Sequence, residues 1–190
     1  MRVLVPMLLL IPALLPAQRM VEGDPSSRVR VLIYEDLACS DCALFRQMMD
    51  QHLLKRFQGQ VAFEHRDFPL AKHASARPAA ILARHFDALK PGLGLEWRRH
   101  ILAKAGQKPE PKLGDELASF VKKQGVNGAD AMAALEDAKL ASAVERDYQD
   151  GIARGVAKTP TVFVSGKPFI ETFTLEEISK AIEQAIRQAN

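Results

Sequence analysis

Val29, Val31 and Ile33 alternate with Arg30 and Leu32 ahead of Tyr34, the period-two pattern of a strand. From Cys42 to Phe57 the period changes. Phe45, Met48, Met49, Leu53, Leu54 and Phe57 recur at helical spacing, with the Met48-Met49 pair on the apolar face. Val61-Ala62-Phe63 opens a second strand that runs to about Asp67, and Phe68-Pro69-Leu70 ends it, because the residue before a proline is pushed toward extended backbone. From Lys72 to about Gly155 the pattern is helical: Ala74 to Leu89, Leu95 to Ala105, Leu113 to Gln124, Ala129 to Asp137, and Leu140 to Arg154, with breaks at Pro91-Gly92, at 106–111, at 125–128 and near Lys139. Strand character then returns. Thr161 to Val164 and Lys167 to Ile170 flank a Ser165-Gly166 turn, and Thr174 to Gln188 is an amphipathic helix with Thr174 as N-cap and Glu177 completing a capping box. The order is β-α-β, a helical block, then β-β-α.

Ahead of these elements, Met1-Arg2 and the 15 residues Val3 to Ala17 supply one positive charge, an apolar run and a small residue at its end. This is the pattern of a secretory signal over residues 1–17, cleaved before Gln18. A retained membrane anchor is the competing reading, but it wants about 20 apolar residues, and Pro6, Pro12 and Pro16 weaken a long helix. Residues 18–28 read as a polar lead-in outside the domain, which is expected over 29–71 and 156–190 with a helical insertion at 72–155. Export would place the chain where disulfides form and persist, in the periplasm or outside the cell.

Composition adds exclusions. The chain has 190 residues, 47% apolar and 26% charged, which suits one globular domain and rules out a disordered or collagen-like chain. The net charge of +3 is spread out, and its densest basic spots, Arg98-Arg99-His100 and Lys122-Lys123, read as solvated faces with no nucleic-acid footprint. No Ser-His-Asp arrangement, phosphate-binding glycine loop or paired-carboxylate signal is present.

The chemistry lies in the cysteines. There are two, Cys39 and Cys42, separated by Ser40 and Asp41 where a strand hands over to a helix. As a structural staple the pair would close a ring so small that it stabilises by only about 2 kcal/mol before strain. A zinc site needs two more ligands, yet His52, His65, His73, His85 and His100 include no His-x3-5-His pair and there is no second Cys-x2-Cys. Copper binding by the two thiolates stays open as the alternative function, an exported metal carrier. The main reading is thiol-disulfide exchange without a cofactor. At a helix start, unpaired N–H groups and the dipole favour a Cys39 thiolate, making it the nucleophile. Cys42, one turn inside and facing the core, can attack a mixed disulfide at Cys39 and release the partner.

The strand, the Cys-x-x-Cys at the head of a helix, the helical insertion, and Thr159-Pro160-Thr161 before a terminal hairpin together resemble the DsbA-like branch of the thioredoxin superfamily, over about residues 29 to 188. The resemblance implies an α/β thioredoxin fold with the insertion between the second and third strands, and catalysis of dithiol-disulfide exchange on exported proteins. It also implies a membrane redox partner and a cis bond at Thr159-Pro160 facing the cysteines. Pro160 has no N–H to offer a thiolate or a metal, and the Thr159 backbone would be left to pair with an extended substrate. Asp36 matches an acidic position of the family's secreted members, and reads equally as a loop carboxylate or helix-start cap; the same holds for Glu35 beside it. One departure is Ile33, where thioredoxin relatives place a buried acid, so that Glu35, Asp36, Asp41 or water would have to move the proton of Cys42. Ser40 and Asp41 would tune the redox poise. Asp41 stands where strongly oxidising members carry histidine, which predicts a weaker oxidant, by something on the order of tens of millivolts. His73 is expected to cap or pack the insertion, His85 to be a partly buried core residue, and Trp97 to anchor the insertion's core.

Overall fold

A computed structural model describes residues 19–108 and 111–189. The expected signal segment, residues 1–17, and its cleavage point lie outside the described residues. Five strands form one mixed sheet in the order β1-β3-β2-β4-β5: β1 (Met20–Gly23), β2 (Arg30–Glu35), β3 (Ala62–Asp67), β4 (Thr161–Val164) and β5 (Lys167–Ile170). β2 and β3 are parallel, with Ile33 opposite His65, and the other pairs are antiparallel. A parallel pair needs a crossover, and α1 (Ser40–Met48), a π-helical stretch (Met49–Leu53) and α2 (Leu54–Arg56) supply it. Within the π stretch Met49 and Leu53, four residues apart and so on one face, are both fully buried.

The alternation along β2 sorts its side chains to two covered faces. Val31 and Ile33 join Phe45, Met49 and Leu53 of the crossover and Ile178 and Ile182 of α8 (Leu175–Ala189). Leu32 and Tyr34 face the other way, toward Phe68, Tyr148 and Val156. The insertion follows β3 as α3 (Ala76–Leu89), α4 (Leu93–Leu102), α5 (Leu113–Gln124), α6 (Gly128–Ala133), a 3-10 turn, and α7 (Ala138–Ala153). Its core is aromatic: Phe86, Trp97 and Phe120 pack with centroids 5.0–5.4 Å apart, and the Trp97 indole donates to Ala79 O at 2.8 Å. Cys39 and Cys42 belong to this cluster, so the insertion builds one wall of the cysteine site. α8 starts as the capping box predicts, with Thr174 N donating to Glu177 Oε2 at 2.7 Å and Glu177 N donating to Thr174 Oγ1 at 3.1 Å.

Two sequence expectations are corrected here. Residues 20–23, expected within a lead-in outside the domain, are an edge strand on β3, with Met20 buried in the insertion core and Glu22 among charges. Gly23 ends it at φ +84, where an added Cβ would lie 2.2 Å from Val61 O, so this glycine marks a close backbone approach. Four residues with one buried glutamate carry too little alternation to announce a strand. Arg98, expected on a solvated face, is instead 1% exposed and lies between two carboxylates. Arginine's planar fork makes such burial tolerable where partners are ready. Lys122 and Lys123 are exposed as read.

Candidate functional site

Cys39 is the N-cap of α1, in extended backbone (φ −84, ψ 127), with Ser40 opening the helix. Its own N–H donates to Asp36 O at 3.1 Å and its carbonyl accepts from Ala43 N at 3.1 Å, which fixes the thiol at the end of the helix. Both cysteines are free thiols, and they are unequal in exposure, 6% for Cys39 against 0% for Cys42. Cys42 Sγ accepts from Asp36 N at 3.4 Å.

The same inequality appears in acidity. A hydrogen bond from Cys42 is the largest influence on Cys39, and although burial opposes it, Thr159 and the backbone N–H groups of Cys42 and Asp41 assist, bringing the Cys39 pKa down to about 6. Burial first, then the bond to Cys39, then the charges of Cys39 and Glu35 push the Cys42 thiol well up. One sulfur is held as a thiolate near neutral pH and the other as a thiol.

The Thr159-Pro160 bond is cis and places Thr159 O 3.4 Å from Cys39 Sγ, which donates to it as a thiol. Thr159 is buried. Pro160 O accepts from Glu171 N at 2.8 Å, tying this loop to the end of the hairpin. Thus residues 120 positions apart in the chain meet at one sulfur.

Asp36 is a buried loop carboxylate. Its Oδ1 accepts from Ala38 N at 2.7 Å, its Oδ2 accepts from Leu70 N at 2.7 Å, and His73 Nδ1 lies 2.9 Å from Oδ2. It therefore braces the loop before Cys39 against the segment after β3, and His73 is part of that brace. Ser40 is exposed. Gly106 (φ +80) closes over it, since an added Cβ would come 2.9 Å from Ser40 Cβ. Asp41 lines an open groove with Leu44, Phe45, Met48, Phe173 and Glu177. Leu44, 62% exposed, is the most exposed apolar side chain there.

Ile33 is fully buried in the core. The acid that acts on Cys42 is Glu35 on β2, 2% exposed, whose carboxylate burial alone would raise but which Arg98 and His65 hold down to about 2. His65 bridges it to Glu22, with Nδ1 2.7 Å from Glu35 Oε1 and Nε2 2.8 Å from Glu22 Oε1. The sequence offers Glu35 beside Asp36 as one of several groups able to move the Cys42 proton and His65 only as a metal-ligand candidate, while Glu22 and the role of Arg98 carry no signal of their own. The available signal was Glu64-His65-Arg66-Asp67, four polar residues on a strand that must lie inside a parallel pair. Among the described residues no three His, Cys, Asp or Glu side chains are grouped so as to hold a metal ion, and no helix is long and apolar enough to cross a membrane.

Comparison with known proteins agrees with this architecture. No curated protein matches the chain by sequence. Among solved structures it is similar to the thiol-disulfide exchange protein alpha-DsbA2 of Wolbachia pipientis, with a TM-score of 0.76, 20% identity, and 87% of this chain and 86% of that chain covered. It is also similar to oxidised BdbD of Bacillus subtilis (TM-score 0.76, 23% identity, 89% and 93% covered). A third is a thioredoxin-like oxidoreductase of Silicibacter pomeroyi (TM-score 0.75, 16% identity, 90% and 94% covered). The family model described as thioredoxin matches residues 17–184, nearly the whole chain. With its Cys-x-x-Cys at a helix start and a cis proline loop against the first sulfur, the chain belongs to the thioredoxin family and has the fold of that family's DsbA-like members.

Proposed function

We propose that the protein is an exported thiol-disulfide oxidoreductase that exchanges disulfides with protein substrates through Cys39 and Cys42. The observation that carries this reading is the inequality of the two thiols, one at a helix N-terminus with its pKa near 6 and one buried and held protonated. A structural staple has no use for such a difference. In the oxidising direction a substrate thiolate attacks Cys39 Sγ of the active disulfide, the Cys39–Cys42 bond breaks, and Cys42 leaves and takes up a proton. A second substrate thiolate then attacks the substrate sulfur, and Cys39 departs as a thiolate. In the reducing direction Cys39 attacks a substrate disulfide and Cys42 resolves the mixed disulfide.

Thr159 and Pro160 hold the extended substrate beside Cys39, with Leu44 and the neighbouring groove receiving its side chains. Asp36 braces the Cys39 loop, and Ser40 and Asp41 adjust the poise. The apolar run before Gln18 supports export, and a membrane redox partner would restore the pair after each turnover. Copper carriage would rest on two sulfur ligands alone.

The test is a Cys42→Ser variant expressed with its leader. Mixed disulfides between Cys39 and exported proteins, absent in Cys39→Ser, are the expected result, together with reduction or oxidation of a model dithiol peptide by the parent protein. Tight copper(I) binding by the parent without any exchange would overturn the proposal in favour of a carrier.

A further inference from the structure

Ala38 and Asp41, which flank Cys39 and Ser40 in the chain, line two different depressions. Asp41 belongs to the groove at the end of the hairpin, where the exchange reading already places substrate side chains. Ala38 belongs to an open pocket in the wall of the insertion, formed by the loop before Cys39, the start of α3, the end of α4 and the start of α5. The two share no lining residue. The insertion pocket also reaches the helix that carries the cysteines: Gly106 lines it, and a Cβ added to Gly106 would lie 2.9 Å from Ser40 Cβ. Ala38 stands one peptide unit, about 3.8 Å, from Cys39, so an extended chain held at the sulfur needs only two or three residues to enter.

The floor of this pocket is apolar. Leu37 and Ala79 are each 1% exposed and Ile101 9%, and half-buried Leu113 closes one side. None of the described residues lining it is aromatic, so the space fits a branched aliphatic side chain and offers no ring to stack on. Three polar side chains complete the lining. Ser75 is the N-cap residue of α3, and Glu116 Oε2 lies 2.8 Å from His100 Nε2. The third, Lys104, is half-buried and makes no ion pair among the described residues. A lysine lays its methylenes along apolar surface and keeps its head group toward water, which puts one uncommitted positive charge at the mouth.

We propose that this pocket is a specificity subsite for the protein substrate: it receives an aliphatic side chain two positions from the reacting cysteine, and Lys104 pairs with an acidic residue at the next position. The inference rests on the exchange reading and names the substrate sequence that it prefers. Side chains two apart in an extended chain point the same way. With the reacting sulfur directed at Cys39, the second residue along is directed at the same surface, and the one between them faces away. The acidic residue that follows stays at the mouth, within reach of the long lysine side chain. A small thiol such as glutathione has carboxylates for Lys104 but no aliphatic side chain for Leu37, Ala79 and Ile101, so the apolar floor favours a polypeptide.

The experiment uses full-length protein carrying Cys42→Ser, and peptides whose single cysteine is capped as a disulfide with thionitrobenzoate. The Cys39 thiolate attacks the peptide sulfur, a Cys39–peptide disulfide forms, and coloured thionitrobenzoate leaves with the electron pair, so its release gives the rate constant. A peptide with Leu-Glu starting two positions from the cysteine is expected to react about tenfold faster than one with Gly-Gln there, and on one side of the cysteine only. Ala105→Trp, which fills the pocket from its wall, should bring that ratio close to one. Lys104→Glu should lower the rate for Leu-Glu relative to Leu-Lys by about threefold, the scale of an exposed ion pair. Because Lys104 makes no ion pair, this second variant keeps the test standing should Ala105→Trp not fold. Ratios that are the same in parent and variants, or a preference for Leu-Glu that is equal on both sides of the cysteine, overturn the inference while leaving the exchange reading intact. A Lys104 dependence seen with oxidised glutathione and with no peptide assigns the pocket to a small thiol and overturns it as well. Absence of release from every peptide refutes the exchange reading, and the subsite with it.

Discussion

The stability of the dithiol form relative to the disulfide form should rise as pH increases from about 6 to about 8.5. Cys39 is lowered to a pKa of about 6 in the folded dithiol, whereas in the unfolded chain a cysteine titrates near 8.5 to 9. A group whose folded pKa is depressed adds stability that is complete above the unfolded pKa and disappears as pH falls through the folded one. At pH 7 the folded thiolate outnumbers the thiol by roughly ten to one, while the unfolded chain is almost entirely thiol. The slope is at most about 1.4 kcal/mol per pH unit, and the full shift would amount to about 4 kcal/mol. Solvent screening at the accessible side of Cys39 reduces this, and we expect about 2 kcal/mol, equivalent to about 40 mV in a two-electron couple. Cys42 works in the opposite sense, since its raised pKa removes stability only above the unfolded value, beyond this window.

Urea unfolding of the dithiol and disulfide forms, at intervals from pH 5.5 to 8.5, measures the effect. Every other titrating group is common to both forms, so the difference between the two curves isolates the sulfurs. Iodoacetamide alkylation should follow the same midpoint near pH 6 and modify Cys39 alone. A pH-independent difference, or alkylation with a midpoint at 8 to 9, would refute the assignment of Cys39 as the activated thiol.

Other outcomes follow from particular contacts. Asp36→Ala removes the acceptor for Ala38 N, Leu70 N and His73, and should cost about 2–4 kcal/mol in denaturant unfolding and broaden the Cys39 alkylation profile as its loop loosens. Arg98→Ala leaves Glu35 and Asp67 buried without their shared cation, and a loss of about 3–5 kcal/mol is expected, seen as a fall in the urea midpoint at pH 7. Asp41→His replaces an anion near the helix start by a group that is cationic below about pH 6.5, and should make the protein more oxidising when equilibrated with glutathione buffers; a shift toward a more reducing potential would contradict the charge argument.

Much of the architecture was legible because it is local. The strand periods at 29–34 and 161–164, the five helical stretches of the insertion, and the capping box at Thr174 all depend on near neighbours in the chain, and all stand close to where they were expected. The edge strand at Met20–Gly23 was not legible. Its inward positions are one methionine and one glutamate, and the glutamate is inside only because Arg46, His65 and Arg99 arrive from three other elements. Arg98 was misread for the same reason: adjacent arginines look alike in sequence, and one of them points at Asp67 and Glu35 while the other meets Glu22 nearer the solvent.

The sequence by itself determined the chemistry available to this protein: one closely spaced cysteine pair at a strand-to-helix junction, a Thr-Pro before a terminal hairpin, and no third thiol to compete. Which sulfur is the acid was decided only by the tertiary structure. Acidity depends on burial and on charges within a few ångströms, and here these come from Glu35, from the Thr159 loop 120 residues on, and from the helices of the insertion that bury Cys42. Spacing in the chain can bring two sulfurs together; only packing can make them unequal.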